Sequence, residues 1–533
     1  MTYSAQVEKF RNDKNSFFNQ PKKSESFDAI DKEVKGMAYS DILANQKLFE
    51  AEFKHLFTVL QKQKNDKDKQ VFWNYCYYCA SILEAYHLAY SNKTKNDDYN
   101  YTEIKEQIKN RLNKPKVQAD STAKEKAAKE KEALEEKSFI QTLYAKFLKG
   151  IKDLFDIPFH VVTLRKEIGF INLCRIYWVF TRLTLTQALT VASDFNLITK
   201  LDEFLGTHTD VNKIITALQA PTKVLNFFSV GLFMGRFLLD AAMLLKHTCF
   251  PSDLEAAIDP ITRQQDLSKA STWTQRLQFE WEKRHWGFAN DIAWAAVNFL
   301  TNFNQVAHVA ASASGFLIAG FLTFDIAMLV YKIHLEERVY LNKKAQYLQD
   351  IEDYKKANNH LFVEMTRLQL VELERDWKVT QSTLYFVAAA AIILAAGFSA
   401  TLIAASPVVV LAMYLVSLIG VAMFLSYPKY ATYKAKSLLL EELELANKDT
   451  GLVRKEFEIA RREFFFTMVK NTIVPLVLVS TFAICWPAAL VLTTLYLGYE
   501  FYHAYQQYQA GKEAKNLALP PVEFEPTADL VMA

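Results

Sequence analysis

The chain of 533 residues carries 62 Lys and Arg against 59 Asp and Glu, a formal net charge of +3. That balance, with the two signs interleaved, leaves no electrostatic footprint for nucleic acid. Five scattered Cys make no disulfide framework, and scarce Gly and Pro (14 and 13) beside abundant Phe and Tyr fit a mostly helical chain.

Residues 1–119 read as an N-terminal cytoplasmic helical region. The first 38 residues are polar and are expected to lack order, and Met1 to Gln20 has no apolar core for a signal peptide. Helices are predicted at about 40–62, 70–92 and 99–113, the last stopped by Pro115. Phe49, Phe53, Leu56 and Leu60 form one stripe. Cys76 and Cys79 have Cys-x-x-Cys spacing, but no second pair follows, so they read as packed core thiols. Residues 120–165 are a charged linker that runs into a basic amphipathic helix through Leu143, Phe147, Ile151 and Phe155. Such a helix suits an anionic membrane surface or packing as a core helix against the arms.

Residues 166–505 read as a transmembrane domain. Residues 286–331 contain no Lys or Arg, 379–428 no charged residue, and 471–511 only Glu500. Each stretch is about twice the ~20 apolar residues that span a bilayer. Hairpins are predicted with spans at about 224–245, 287–309, 311–331, 380–405, 407–427, 469–486 and 487–505, and Pro407 and Pro487 at two turns. A weaker span at about 168–192 contains Arg175 and Arg182. The fold class is therefore all-α: a polytopic protein with about eight spans and long cytoplasmic helical hairpins.

The arms 246–285, 332–378 and 429–468 hold most of the basic residues, which places them in the cytoplasm with both termini and the tail 506–533. Lys343 on an arm and Thr207 in the far-side segment 193–223 should be accessible from opposite sides. A span end recurs as Asp240-Ala-Ala-Met-Leu, Asp325-Ile-Ala-Met-Leu and Gly420-Val-Ala-Met-Phe. The return side recurs as Glu280-Trp-Glu-Lys-Arg-His-Trp286 and Glu372-Leu-Glu-Arg-Asp-Trp377. A repeated two-span unit follows. The signature of mitochondrial carriers is absent. In its Asn/Lys/Phe/Tyr-rich composition, helical arms and short tail with Glu523 and Glu525, the build resembles multi-pass membrane proteins of Legionella-type intracellular bacteria. That resemblance implies a secreted effector in a host membrane; otherwise the bacterial inner membrane is the expected location.

Within 332–378 two helices are expected, turned at Asn358-Asn359, whose stripes face each other as a coiled hairpin. Tyr347, Ile351, Leu361 and Met365 are the candidate interaction residues of that arm, with a cytosolic protein as one partner and packing of the arms on each other and on the N-terminal region as the other use. Inside the spans, Arg175, Arg236, Asp240, Asp291 and Asp325 form a candidate polar site, with Arg236 and Asp240 spaced to pair at i,i+4. No His-Glu-x-x-His, phosphate loop or Gly-x-Ser-x-Gly is present, so no enzyme, cofactor or metal site is expected. Two functions remain: a non-enzymatic membrane scaffold on a lipid bilayer, with a homo-oligomer as a further partner, or an ion or solute transporter using those five residues. The scaffold is favoured because Asp240, Asp291 and Asp325 lie near a cytoplasmic end and Gly420 replaces the third Asp.

Overall fold

The order of the first helices follows from where their large apolar residues fall. The computed structural model describes residues 3–19, 26–62, 69–91, 99–113, 161–206, 208–219, 222–250, 270–303, 305–308, 310–446 and 450–484. Helices α1 (Tyr3–Asn19), α2 (Phe27–Gly36), α3 (Tyr39–Lys62), α4 (Gln70–Ser91) and α5 (Tyr101–Asn113) form the N-terminal unit. The apolar, aromatic α4 is its centre. Trp73, Tyr75, Cys76, Tyr77, Cys79, Ile82 and Leu83 are all essentially inaccessible, as expected for a helix apolar on every side. Within the polar first 38 residues, 3–19 and 27–36 are helical, against the expected lack of order: Phe10, Phe17, Ile30 and Val34 are buried in the same core and order α1 and α2. These anchors are few, so the segment's average polarity hides them.

The rest is built from α6 (Val161–Asp194), the short α7 (Leu197–Leu205) and α8 (Val211–Gln219), and the long α9 (Thr222–Cys249), α10 (Trp273–Asn302), α11 (Ala311–Lys356), α12 (His360–Ile403), α13 (Pro407–Leu445) and α14 (Gly451–Ile484). Local chemistry sets their ends. Thr272 and Gln275 form a capping box at α10, the Asn359 side chain accepts from Phe362 N at α12, and Pro407 opens α13. Asn358 takes a left-handed conformation at φ 53° and closes the expected turn between α11 and α12. No strand occurs among the described residues.

Each long helix continues from apolar stretch into arm without a break. The 46 residues of α11 extend about 69 Å. Neighbouring helices run antiparallel in a register fixed by side-chain pairs. Tyr340 stacks on Trp377 and Tyr354 meets Phe362 across α11–α12; Phe386 stacks on Tyr430 across α12–α13; Lys429 reaches Glu463 across α13–α14. Gly420 has a steric role in this packing. A Cβ there would stand 2.9 Å from the Ala390 carbonyl oxygen, so its hydrogen lets α13 approach α12.

Among the described residues, three helices are long and apolar enough to cross a membrane: Ala313–Lys356, His360–Ile403 and Pro407–Leu445. This corrects the expected count of about eight. Segments 168–192 and 224–245 are helical within α6 and α9; of 287–309, residues 287–302 are helical within α10, where Asn290, Asp291, Asn298 and Asn302 interrupt the apolar run. The span 487–505, the end of 469–486, the tail 506–533 and most of the linker 120–165 lie outside the described residues, as do arm residues 251–269.

Candidate functional site

The arm α11–α12 is not bare. Tyr347 and Met365 are fully buried, Ile351 nearly so, and Leu361 is partly buried against the N-terminal core. Register places Ile351 beside Met365, as the facing stripes require. The seam also receives the N-terminal unit: Phe362 of α12 meets Phe18 at 4.9 Å and Phe72 at 4.7 Å. The four expected interaction residues are thus occupied within the chain. Lys343 is 4% exposed and so is not accessible, and Thr207 lies outside the described residues.

Polar groups lock this contact. Glu52 on α3 is inaccessible and takes the Lys14 ammonium of α1 and the Lys343 ammonium of α11, both at 2.6 Å. Tyr347 Oη (3.2 Å) and Gln369 Nε2 (3.1 Å) donate to the same carboxylate. Burial alone would raise the Glu52 carboxyl, but the two lysines overcome it and hold the group well below the usual carboxylate range. Arg11 bridges to Asp350 at 2.6 Å and also reaches Asp353. On α12, Asp376 takes Lys54 at 2.8 Å and faces His55 Nε2 at 3.5 Å. Burial lowers the His55 pKa against the pull of Asp376. Lys62, Glu372 and Arg375 continue the chain of charges to Glu442 on α13. The N-terminal unit and the arm therefore make one head.

A second junction lies where this head meets α9 and α10. Arg284 donates to Asp240 at 2.7 Å, to Glu280 at 2.8 Å and to Tyr90 Oη at 2.6 Å. Tyr90 of α4 stacks on His247 at 4.1 Å with the rings nearly parallel, and the Lys283 ammonium stands 4.0 Å over its ring.

The five residues expected to line a membrane path do not converge. Arg236 pairs with Asp291 across α9–α10 at 3.2 Å, in place of the i,i+4 pair with Asp240. Asp240 belongs to the head junction. Trp294 Nε1 donates to both Asp325 oxygens, at 2.9 and 3.0 Å. The α6 backbone at Arg175 is described, but not that side chain. On α10, Arg284 and Asp291 are seven residues or about 10 Å apart, so these are separate contacts. An open groove of about 470 Å³ lies between α11 and α12 beside Val330, His334, Glu337, Tyr385 and Ile392; none of the five lines it.

Comparison with protein-family models, curated proteins and solved structures finds no match. The site must therefore be read from its own chemistry. Aromatic residues gather at one level of the bundle. Trp286 meets Tyr331 at 4.9 Å, and the α11–α12 register brings Tyr331 level with Phe386. Phe386 stacks on Tyr430, which meets Phe464 at 5.4 Å. Trp281, Tyr331, Tyr385 and Phe465 expose rings near that level. Lys332, His334 and Glu337 follow on the arm side, whereas 379–428 carries no charge. Cys76 and Cys79 are buried, and burial pushes both thiols well above their ordinary range. Among the described residues no three His, Cys, Asp or Glu gather as metal ligands.

The residues missed by the sequence reading are Lys14, Glu52, Lys343, Arg284 and Tyr90. A signal existed for four of them. Glu52 lies between Phe49 and Leu56 at helical spacing, Lys343 between Tyr340 and Tyr347, and Lys14 between Phe10 and Phe17. A charge inside an apolar stripe is one that must be paired. Arg284 stood within the recurring return-side motif. Tyr90 carried no distinguishing pattern.

Proposed function

We propose that the protein is a non-catalytic integral membrane scaffold, in which membrane-spanning helices, α11, α12 and α13 among them, hold one preassembled cytoplasmic helical head. The observation that carries this reading is the Glu52 junction, which fastens α1 and α3 to helices that run directly into the apolar stretches. Burying a carboxylate between two lysines on three helices serves to fix one arrangement of those helices. The aromatic level is the natural cytoplasmic boundary of the bilayer. The arm seam does not face partners; the outside of the head does, for a cytosolic protein or lipid surface. The dispersed polar residues support structural pairing over a shared transport path.

Cross-linking and flux together test the proposal. With Phe18→Cys and Phe362→Cys, oxidation of full-length protein in vesicles should join head and arm, and the vesicles should stay ion-tight. Failure to cross-link while inserted removes the preassembled head. A flux abolished by Asp291→Asn would replace the scaffold with a transporter.

A further inference from the structure

Two of the three intramembrane acid contacts involve a cation, and the third does not. Asp240 has Arg284 and Asp291 has Arg236. Among the described residues Asp325 has one partner, the neutral indole N–H of Trp294, shared by both carboxylate oxygens. Trp294 is itself held, stacked on Phe233 with centroids 6.0 Å apart. Asp325 lies six residues from Tyr331, about 9 Å to the apolar side of the aromatic level. Among the described side chains, facing elements offer it no counter-ion; α6, whose Ile176 packs with Leu322 of α11, carries Arg175, whose side chain lies outside those described. On α12 the stretch level with it belongs to the charge-free 379–428. On α10 the charged residue within one turn of Trp294 is Asp291, of the same sign and engaged with Arg236 of α9. On α11, residues 311–331 contain no other charged residue.

A lone carboxylate at that depth, with one neutral donor for two oxygens, is costly, and the available relief is to bind a proton. We propose that Asp325 is a proton-binding site of the membrane domain: a carboxylic acid, neutral while α10 and α11 are closed around Trp294, that ionises when their contact admits water. In the neutral form one oxygen accepts from the indole and the other carries the proton. Loss of that proton leaves a charge that the closed contact does not pair, so protonation favours the closed α10–α11 arrangement. This goes beyond the scaffold reading and rests on it in one respect, that α11 lies in the bilayer.

The test uses carbodiimides on the full-length protein in phospholipid vesicles. A protonated carboxyl adds across a carbodiimide C=N bond, and the O-acylisourea rearranges to a stable N-acylurea carrying the whole reagent. Dicyclohexylcarbodiimide should label Asp325 by peptide mass spectrometry, with yield falling about tenfold per pH unit above a midpoint. Asp325→Asn should abolish the adduct. Trp294→Phe removes a donor that favours the ionised form, so labelling should persist to higher pH; a merely structural Trp294 would leave the midpoint unmoved and overturn the assigned geometry. No adduct at any pH overturns the proposal alone. Equal labelling by a water-soluble carbodiimide would place α11 in water and overturn the proposal together with the membrane reading.

Discussion

Replacing Glu52 by Gln isolates the charge of the head junction with little change of shape. The carboxylate is inaccessible, and Lys14 and Lys343 are 4% exposed. Its loss leaves two ammonium groups in the interior. Lys14 keeps Asp350 at 3.4 Å and Lys343 keeps Gln346 Oε1 at 3.2 Å, neither of which replaces a direct pair at 2.6 Å. Removing one partner of a buried ion pair costs about 3–5 kcal/mol, a large share of the roughly 5–15 kcal/mol that holds a domain folded. In docking equilibrium that is roughly 10²–10⁴-fold. Hydrogen exchange on full-length protein in detergent should report it as faster exchange in α1 and α3, with the apolar cores of α12 and α13 unchanged. The apolar combination Lys14→Met, Glu52→Leu, Lys343→Met and Gln369→Leu should recover most of the protection, because it removes the desolvated charges together. Protection in Glu52→Gln within about 1 kcal/mol of the wild type would refute the reasoning.

Three further outcomes follow from the same geometry. Gly420→Ala places a methyl 2.9 Å from the Ala390 carbonyl oxygen, and melting in detergent should reveal a loss of about 1–3 kcal/mol as α12 and α13 part. Acid should loosen the head. Glu52, Asp376 and His55 all have lowered folded-state pKa values, so their contribution is present above the unfolded values of ~4.3, ~3.9 and ~6.5 and is lost as pH falls through the folded ones; protection of α3, taken relative to the intrinsic exchange rate at each pH, should fall first below about pH 6.5, and protection unchanged down to about pH 3 would contradict this. Cys249 is exposed and should react with maleimide in the native protein, whereas Cys76 and Cys79 should react only on unfolding.

Much of the architecture was legible because helical periodicity is a local property. The stripes through Phe49 to Leu60 and Tyr347 to Met365, the turn at Asn358 and the helix start at Pro407 stand where the pattern places them. Partnership is not local. The arm stripe could be read, with the N-terminal region as one surface for it to cover, but not that Phe18 and Phe72 would close over Phe362, because nothing in 332–378 encodes which residues of α1 and α4 they are. Arg236 had a partner at the right helical spacing in Asp240, yet each residue reaches α10 instead, where Asp291 and Arg284 offer oppositely charged groups across the helix contact. Gly420 appeared only as a departure from the Asp of the earlier repeats; its reason is the nearness of Ala390, which a single helix cannot reveal.

Sidedness tests the central claim most directly, because a scaffold needs its head and the far-side helices separated by the bilayer. Lys356 at the arm tip has a side chain 78% exposed, and Lys213 on α8 one 86% exposed. Each is replaced singly by Cys in full-length protein lacking its native cysteines, and sealed vesicles are treated with a membrane-impermeant maleimide before and after permeabilisation. The account predicts that one position labels in intact vesicles and the other only once they are opened. Labelling of both from the same side would contradict it.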